Sequence, residues 1–326
     1  ALARRMFGAA VGLMASALLA VSFWGLMYSR VGIRHSLTPV LMLVAFYWFW
    51  RAMKITNHEL RITNGDRSEL ITRRSSLVAF FLSGLFLGLG FHSYFASRGA
   101  PLIPAAFVVY LLLAAPSRLR GKWRGLLAMA VMTAAVAAPL LLTVASQPEV
   151  EGRVGELALP LIEARAGNFG PVIDHAVAAL TMAHAGGDPE WLYNIPERPI
   201  FGAVGAIFFW LGVAWAFGQV ARSLWGRLRR PRQEASPQAT AAAFLLLWWL
   251  GGIAPAILSV PPASLGHVIL AQPAFYILAT LPVGALAGWA RLPAARRTMV
   301  AGMAAVLLFA ATAARDLPDY FVEWPA

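Results

Sequence analysis

Two short segments concentrate side chains able to hold an anion. Tyr28-Ser29-Arg30-Val31-Gly32-Ile33-Arg34-His35 and His92-Ser93-Tyr94-Phe95-Ala96-Ser97-Arg98 each bring arginine, histidine and tyrosine together between strongly apolar stretches. A guanidinium is a planar fork that matches phosphate oxygens, so Arg30, Arg34 and Arg98 read as donors to a phosphate or pyrophosphate. Snorkelling to ordinary lipid headgroups, with His92 and Tyr94 in an aromatic belt, accounts for the same residues. A third segment, Gly187-Asp188-Pro189-Glu190-Trp191-Leu192-Tyr193-Asn194-Ile195-Pro196-Glu197-Arg198-Pro199, sets turn formers beside charges and aromatics, which describes an ordered loop. Asp188 is its candidate base or ligand, although a carboxylate before proline also caps turns. Trp191 and Asn194 in this loop, and His267 after Pro261-Pro262, complete the candidate binding residues.

Other chemistries lack their signatures. No GxxxxGK, GxGxxG, HExxH or GxSxG occurs, and there is no cysteine to supply a disulfide or a thiolate site. No two of the six histidines stand three or four apart, and on the outer side only His175 has an acidic neighbour, Asp174, so no metal site is assigned. The residues call for no cofactor; a divalent metal is left open.

The elements that must position these groups are set by composition. Of 326 residues, 59% are hydrophobic and 13% charged, which excludes a water-soluble globular domain and disorder alike. The solvent is lipid. Nine apolar stretches follow, Met6–Met27, Leu37–Arg51, Leu77–Phe95, Pro101–Ala115, Leu126–Ala145, Ile200–Val220, Thr240–Ser259, Pro273–Trp289 and Thr298–Ala314, each read as a membrane helix. The second and fourth are short enough to be re-entrant. The expected fold is thus all-α, a polytopic membrane bundle of about nine transmembrane helices. Residues 1–145 hold helices one to five, 146–199 an outer lid loop, 200–314 helices six to nine and 315–326 an outer aromatic tail. Gly8/Gly12, Gly84/Gly88 and Gly284/Gly288 fit GxxxG and predict close helix packing.

With the N-terminal end inside, twenty of the 27 Lys and Arg fall in inner segments, and eleven of the fifteen Asp and Glu fall outside. The positive-inside rule therefore sets the orientation, and a net charge of +12 points to anionic headgroups, not nucleic acid. Five histidines, all but His58, then map to the outer side. Within the lid, Pro171 to Ala185 carries Val172, Ile173, Ala176, Val177 and Leu180 on one side and predicts an interfacial helix stopped by Gly186-Gly187.

Taken in order, these segments resemble a known family. Arg4-Arg5-Met6-Phe7-Gly8, Ser22-Phe23-Trp24, Ser29-Arg30-Val31-Gly32-Ile33-Arg34, His92-Ser93-Tyr94 with Arg98 and Pro101, the Gly187-Asp188-Pro189 loop and Asp319-Tyr320-Phe321 with Trp324 are similar to segments of bacterial membrane glycosyltransferases of family 39. The resemblance implies a GT-C-like fold related to protein O-mannosyltransferases, in the bacterial cytoplasmic membrane. It implies transfer of a sugar from a polyprenyl-phosphate carrier to an acceptor glycan, lipid or protein on the outer face. Arg30, Arg34 and Arg98 would bind the phosphate, and Tyr94 and Trp191 would frame sugar or isoprenoid. The family's catalytic acids lie in a first outer loop with no counterpart here, which leads us to expect a window of a longer protein. The chain departs from the family at Tyr193 and in Pro261 to His267. The rival reading is a non-catalytic helical scaffold among other membrane subunits, with the bundle kept and the active loop lost. A transporter would need mid-membrane ionisable residues, which the stretches practically lack.

Overall fold

The computed structural model describes residues 1–54, 66–147, 157–289, 291 and 293–324, and all its regular structure is helical. His58 and Arg153 lie outside the described residues. In chain order the helices are α1 (Leu2–Phe7), α2 (Ala9–Val21), α3 (Phe23–Val31), α4 (Leu37–Lys54), α5 (Asp66–Phe91), α6 (Leu102–Ala114), α7 (Trp123–Ser146), α8 (Leu159–Arg165), α9 (Gly170–Thr181), α10 (Ala203–Arg229), α11 (Pro237–Leu258), α12 (Gln272–Ala287) and α13 (Ala294–Pro318).

Among the described residues, seven helices are long and apolar enough to cross a membrane, or eight when α2 and α3 are taken as one bent span. The chain is a multi-pass membrane protein. The remaining expected stretch lies in α5, Asp66–Phe91, where the apolar helix found among the described residues is Ser75–Phe91. Conversely, the two stretches expected to be short lengthen to Arg34–Met53 and Phe95–Ala114, because a 3₁₀ turn precedes each helix. The first stretch, expected as one helix, is broken twice. Gly8 takes φ +97°, which suits a residue without Cβ, and Ser22 leaves the helix to cap α3 by accepting from the Gly25 amide at 3.1 Å. The α2–α3 axes differ by 57°.

Packing follows small residues. A Cβ on Gly84 would stand 2.4 Å from the Met129 carbonyl oxygen, and one on Gly88 would stand 2.6 Å from Val136 Cβ, so α5 and α7 touch backbone to backbone. Gly212 does the same for α10 against the Leu278 carbonyl of α12, at 1.9 Å. By contrast Gly8 of the first expected motif faces open space. The centre is α11 and α12, where Phe244, Trp248, Trp249, Phe275 and Tyr276 are buried. On α7, α10 and α13, Leu127, Val131, Leu142, Ile207, Leu211, Met303 and Val306 stay exposed, an apolar surface that belongs against lipid.

The connections meet at two ends, joined by α6. At one end Ser117 donates from N and Oγ to Glu234, Ala235 N donates to Ala114 O at 2.8 Å and Lys122 Nζ to Ala52 O at 3.0 Å. Arg118, Arg120, Arg124, Arg229, Arg230 and Arg232 crowd there; we call it the basic end. The other end carries α8, α9 and the loop from Gly186 to Gly202. It is tied down by Arg198, whose Nη2 meets Asp316 Oδ1 at 2.5 Å and whose Nε meets Asp319 Oδ2 at 2.7 Å. Asp316 Oδ2 also accepts from Phe23 N, the first amide of α3, at 2.9 Å. One carboxylate therefore joins the α3 start, the loop and the C-terminal helix. Helix α9 turns His175 and Ala179 inward and leaves Ile173 and Val177 exposed, with Phe169 exposed just before its start.

Candidate functional site

At the end opposite the basic loops a cavity of about 710 Å³ opens among the segments flagged by their chemistry. Its volume lies in the range of about 300–1,000 Å³ usual for small-molecule sites. Four separate connections build it. The α3–α4 turn brings Tyr28, Arg34 and His35; the α5–α6 turn brings His92, Tyr94 and Arg98; the loop after α9 brings Asp188, Glu190 and Tyr193; the α11–α12 turn brings Ser264, Gly266 and His267. Phe91 of α5, Leu140 and Val144 of α7, and Leu157 supply an apolar side.

Of the expected site residues, Arg34, His92, Tyr94, Arg98, Asp188 and His267 share this cavity. Arg30 does not. It closes the last turn of α3, and its guanidinium lies over the rings of Tyr320 and Trp324, 5.8 and 5.6 Å from their centroids. Gly32, at φ +65°, ends α3 in the left-handed region and turns the chain, so Arg34 leaves in another direction. Trp191 goes with Arg30, lining a shallow bowl with Leu192 and Trp324. Asn194 is buried in the loop, its Nδ2 donating to the carbonyls of Asp188 at 3.0 Å and Arg198 at 2.8 Å.

Asp188 is 1% exposed. Its Oδ1 accepts from Glu190 N at 3.0 Å, the local turn its sequence suggests, and its Oδ2 accepts from Leu265 N at 2.8 Å, across 77 positions. Burial raises its pKa above the ordinary carboxylate value, while hydrogen bonds from Glu190, Leu265 and Ser264 work the other way. Facing it, Tyr28 is 2% exposed, and its hydroxyl has no partner among the described residues. The His35 ring centre lies 3.9 Å from that of Tyr94, and His35 Nδ1 is likewise buried without a partner.

His267 packs edge-on to Phe95, and its Nδ1 is 3.0 Å from Ser259 Oγ. Burial first, then the neighbouring His35 and His175, push its pKa down to about 4, so the ring is neutral at physiological pH. His175 stands behind it and donates from Nδ1 to the Ser259 carbonyl at 3.0 Å. His92 Nε2 donates to Val136 O at 2.9 Å, fixing the α5–α6 turn against α7. His184 lies away from the cavity and accepts from Trp210 Nε1 at 3.2 Å. Among the described residues, no three His, Asp or Glu side chains come together to hold a metal ion.

Sequence reasoning did not single out Tyr28, His35, Ser264 or Glu190 as site residues, nor the Arg198–Asp316–Asp319 clamp. The Arg315-Asp316 doublet at the end of an apolar helix was the available signal for the clamp, since buried charges are kept only when paired. Comparison with known protein families, curated proteins and solved structures gives no match to this chain.

Proposed function

We propose that the cavity binds a lipid-linked phosphate, and that the chain is the helical body of a GT-C-like membrane glycosyltransferase acting from a polyprenyl-phosphate sugar. One observation carries the reading. Arg34 and Arg98 stand in the same cavity as an apolar side formed partly by α7, a helix that packs on α5 along one face and exposes the apolar Leu127, Val131 and Leu142 along another. A phosphate beside the arginines and an isoprenoid along Leu140 and Val144 would satisfy both parts at once. The ordered resemblance to family 39 supports the same assignment, and the charge asymmetry supports the cavity end as the outer face.

In such a transfer the acceptor oxygen bonds to the anomeric carbon, the bond from that carbon to the phosphate oxygen breaks, and the acceptor's proton passes to a carboxylate. The negative charge that develops on the departing phosphate is what Arg34 and Arg98 would stabilise. Asp188 and Glu190 are the carboxylates in the lining, and the raised pKa of Asp188 suits proton acceptance.

The test is binding of a decaprenyl phosphate to the protein in nanodiscs, followed by native mass spectrometry. Arg34→Gln with Arg98→Gln should lower occupancy at least tenfold, and Arg30→Gln should leave it unchanged; equal occupancy in all three would overturn the reading. A non-catalytic scaffold is the second reading, favoured by the backbone donors that already occupy both Asp188 oxygens. It expects no decaprenyl phosphate binding in the wild type.

A further inference from the structure

Ser259 settles which nitrogen of His267 carries the proton. A serine hydroxyl has one hydrogen, and Ser259 Oγ lies 2.6 Å from the Pro255 carbonyl oxygen, which can only accept. The hydrogen is therefore directed there. The 3.0 Å contact between Ser259 Oγ and His267 Nδ1 then needs its hydrogen from the imidazole. A neutral ring protonated on Nδ1 presents a bare lone pair at Nε2. Among the described residues nothing donates to that lone pair, and His267 lines the cavity.

Next to it, Gly266 leaves a gap that three polar atoms surround. A Cβ at this position would stand 3.4 Å from Tyr28 Oη, 3.6 Å from Ser264 Oγ and 3.9 Å from His35 Nε2. Tyr28 Oη is buried with no partner among the described residues, and a polar group in that condition asks for a ligand or water. A phosphate does not suit the gap, because the Asp188 carboxylate lies beside it and repels a second anion. A hydroxyl does suit it, since it can accept from the tyrosine, and a second hydroxyl on the same uncharged group can donate to the bare Nε2 of His267 in the same cavity.

We propose that the corner formed by His267, Gly266 and Tyr28 is the subsite for an uncharged hydroxyl-bearing group attached to a phosphate, with His267 Nε2 accepting a hydrogen bond from one ligand hydroxyl. The proposal rests on Arg34 and Arg98 holding the phosphate and adds what the other half of the ligand must be. Two sources share this chemistry, a hexose on a polyprenyl phosphate and the glycerol headgroup of phosphatidylglycerol.

The experiment compares dissociation constants in nanodiscs for decaprenyl phosphate with and without an attached hexose. Gly266→Ala places its methyl at ordinary contact distances and keeps the fold while filling the gap. Gly266→Ala and His267→Phe should each weaken the hexose-bearing probe roughly tenfold or more and leave the bare phosphate within about twofold. Arg34→Gln should weaken both. Equal losses for the two probes would overturn the subsite. If neither probe binds the wild type, the carrier reading falls, and phosphatidylglycerol compared with phosphatidate, which lacks the free hydroxyls, takes their place. The same split then supports the corner, and its absence overturns it. Independently, ¹⁵N spectra should show His267 Nε2 unprotonated and shifting on binding; a protonated Nε2 would overturn the proposed role.

Discussion

At the scale of single residues, Asp188 and His267 respond to acid in opposite senses. His267 has a folded pKa of about 4 against an ordinary 6.5, so its neutral burial supports stability fully above pH 6.5 and loses that support as pH falls toward 4. The gap is worth at most about 3 kcal/mol. Asp188, raised above 3.8, adds stability when protonated at low pH and loses it as pH rises through its folded value. The midpoint of thermal unfolding in detergent should therefore fall between pH 6.5 and 4 in the wild type, and His267→Asn should flatten that fall. Asp188→Asn tests the loop instead. One of its two backbone donors, Glu190 N or Leu265 N, would face an amide NH₂ that cannot accept, a loss of about 1–3 kcal/mol at pH 7 by the same measurement. The turn with Glu190 was legible, because carboxylates before proline cap turns; the bond to Leu265 was not, because no local pattern encodes a contact 77 residues away.

At the scale of elements, the clamp around Asp316 decides how the cavity end is held. Arg198 is 8% exposed and Asp316 3%, so removing one partner strands the other. Asp316→Ala should cost about 3–5 kcal/mol by thermal unfolding, whereas Arg198→Leu with Asp316→Leu should cost much less than the sum of the single changes. Additivity would show that the pair is not coupled. Helix contacts offer a second check. Gly84→Val puts a branched side chain where the Met129 carbonyl lies 2.4 Å from Cβ, so α5 and α7 must separate. A lower unfolding midpoint is expected, with Gly302→Val, at a position open to its surroundings, as the unaffected control. The small-residue spacing at Gly84/Gly88 was readable because close packing leaves a periodic trace. The 57° break at Ser22 was not, since an apolar run looks continuous whether or not a serine inside it caps a new helix.

At the scale of the whole molecule, the connections sort to two ends, one basic and one bearing the cavity. Because the chain has no cysteine, single introduced cysteines report sidedness without background. Glu190→Cys and Arg230→Cys should label with a membrane-impermeant thiol reagent from opposite faces of sealed vesicles, and labelling from the same face would discard the arrangement. Composition and the run lengths of apolar residues determined by themselves that this is a helical, multi-pass membrane protein, because a bilayer admits few other ways to satisfy the backbone. They also marked the turns rich in arginine, histidine and tyrosine. Only the tertiary structure decided which of those residues meet. Arg30 and Arg34 are four positions apart, yet one stacks on the C-terminal aromatics and the other lines the cavity, because Gly32 turns the chain between them. Helical periodicity is a property of neighbours along the chain, whereas a cavity is closed by side chains from four separate connections, and their meeting is a consequence of packing.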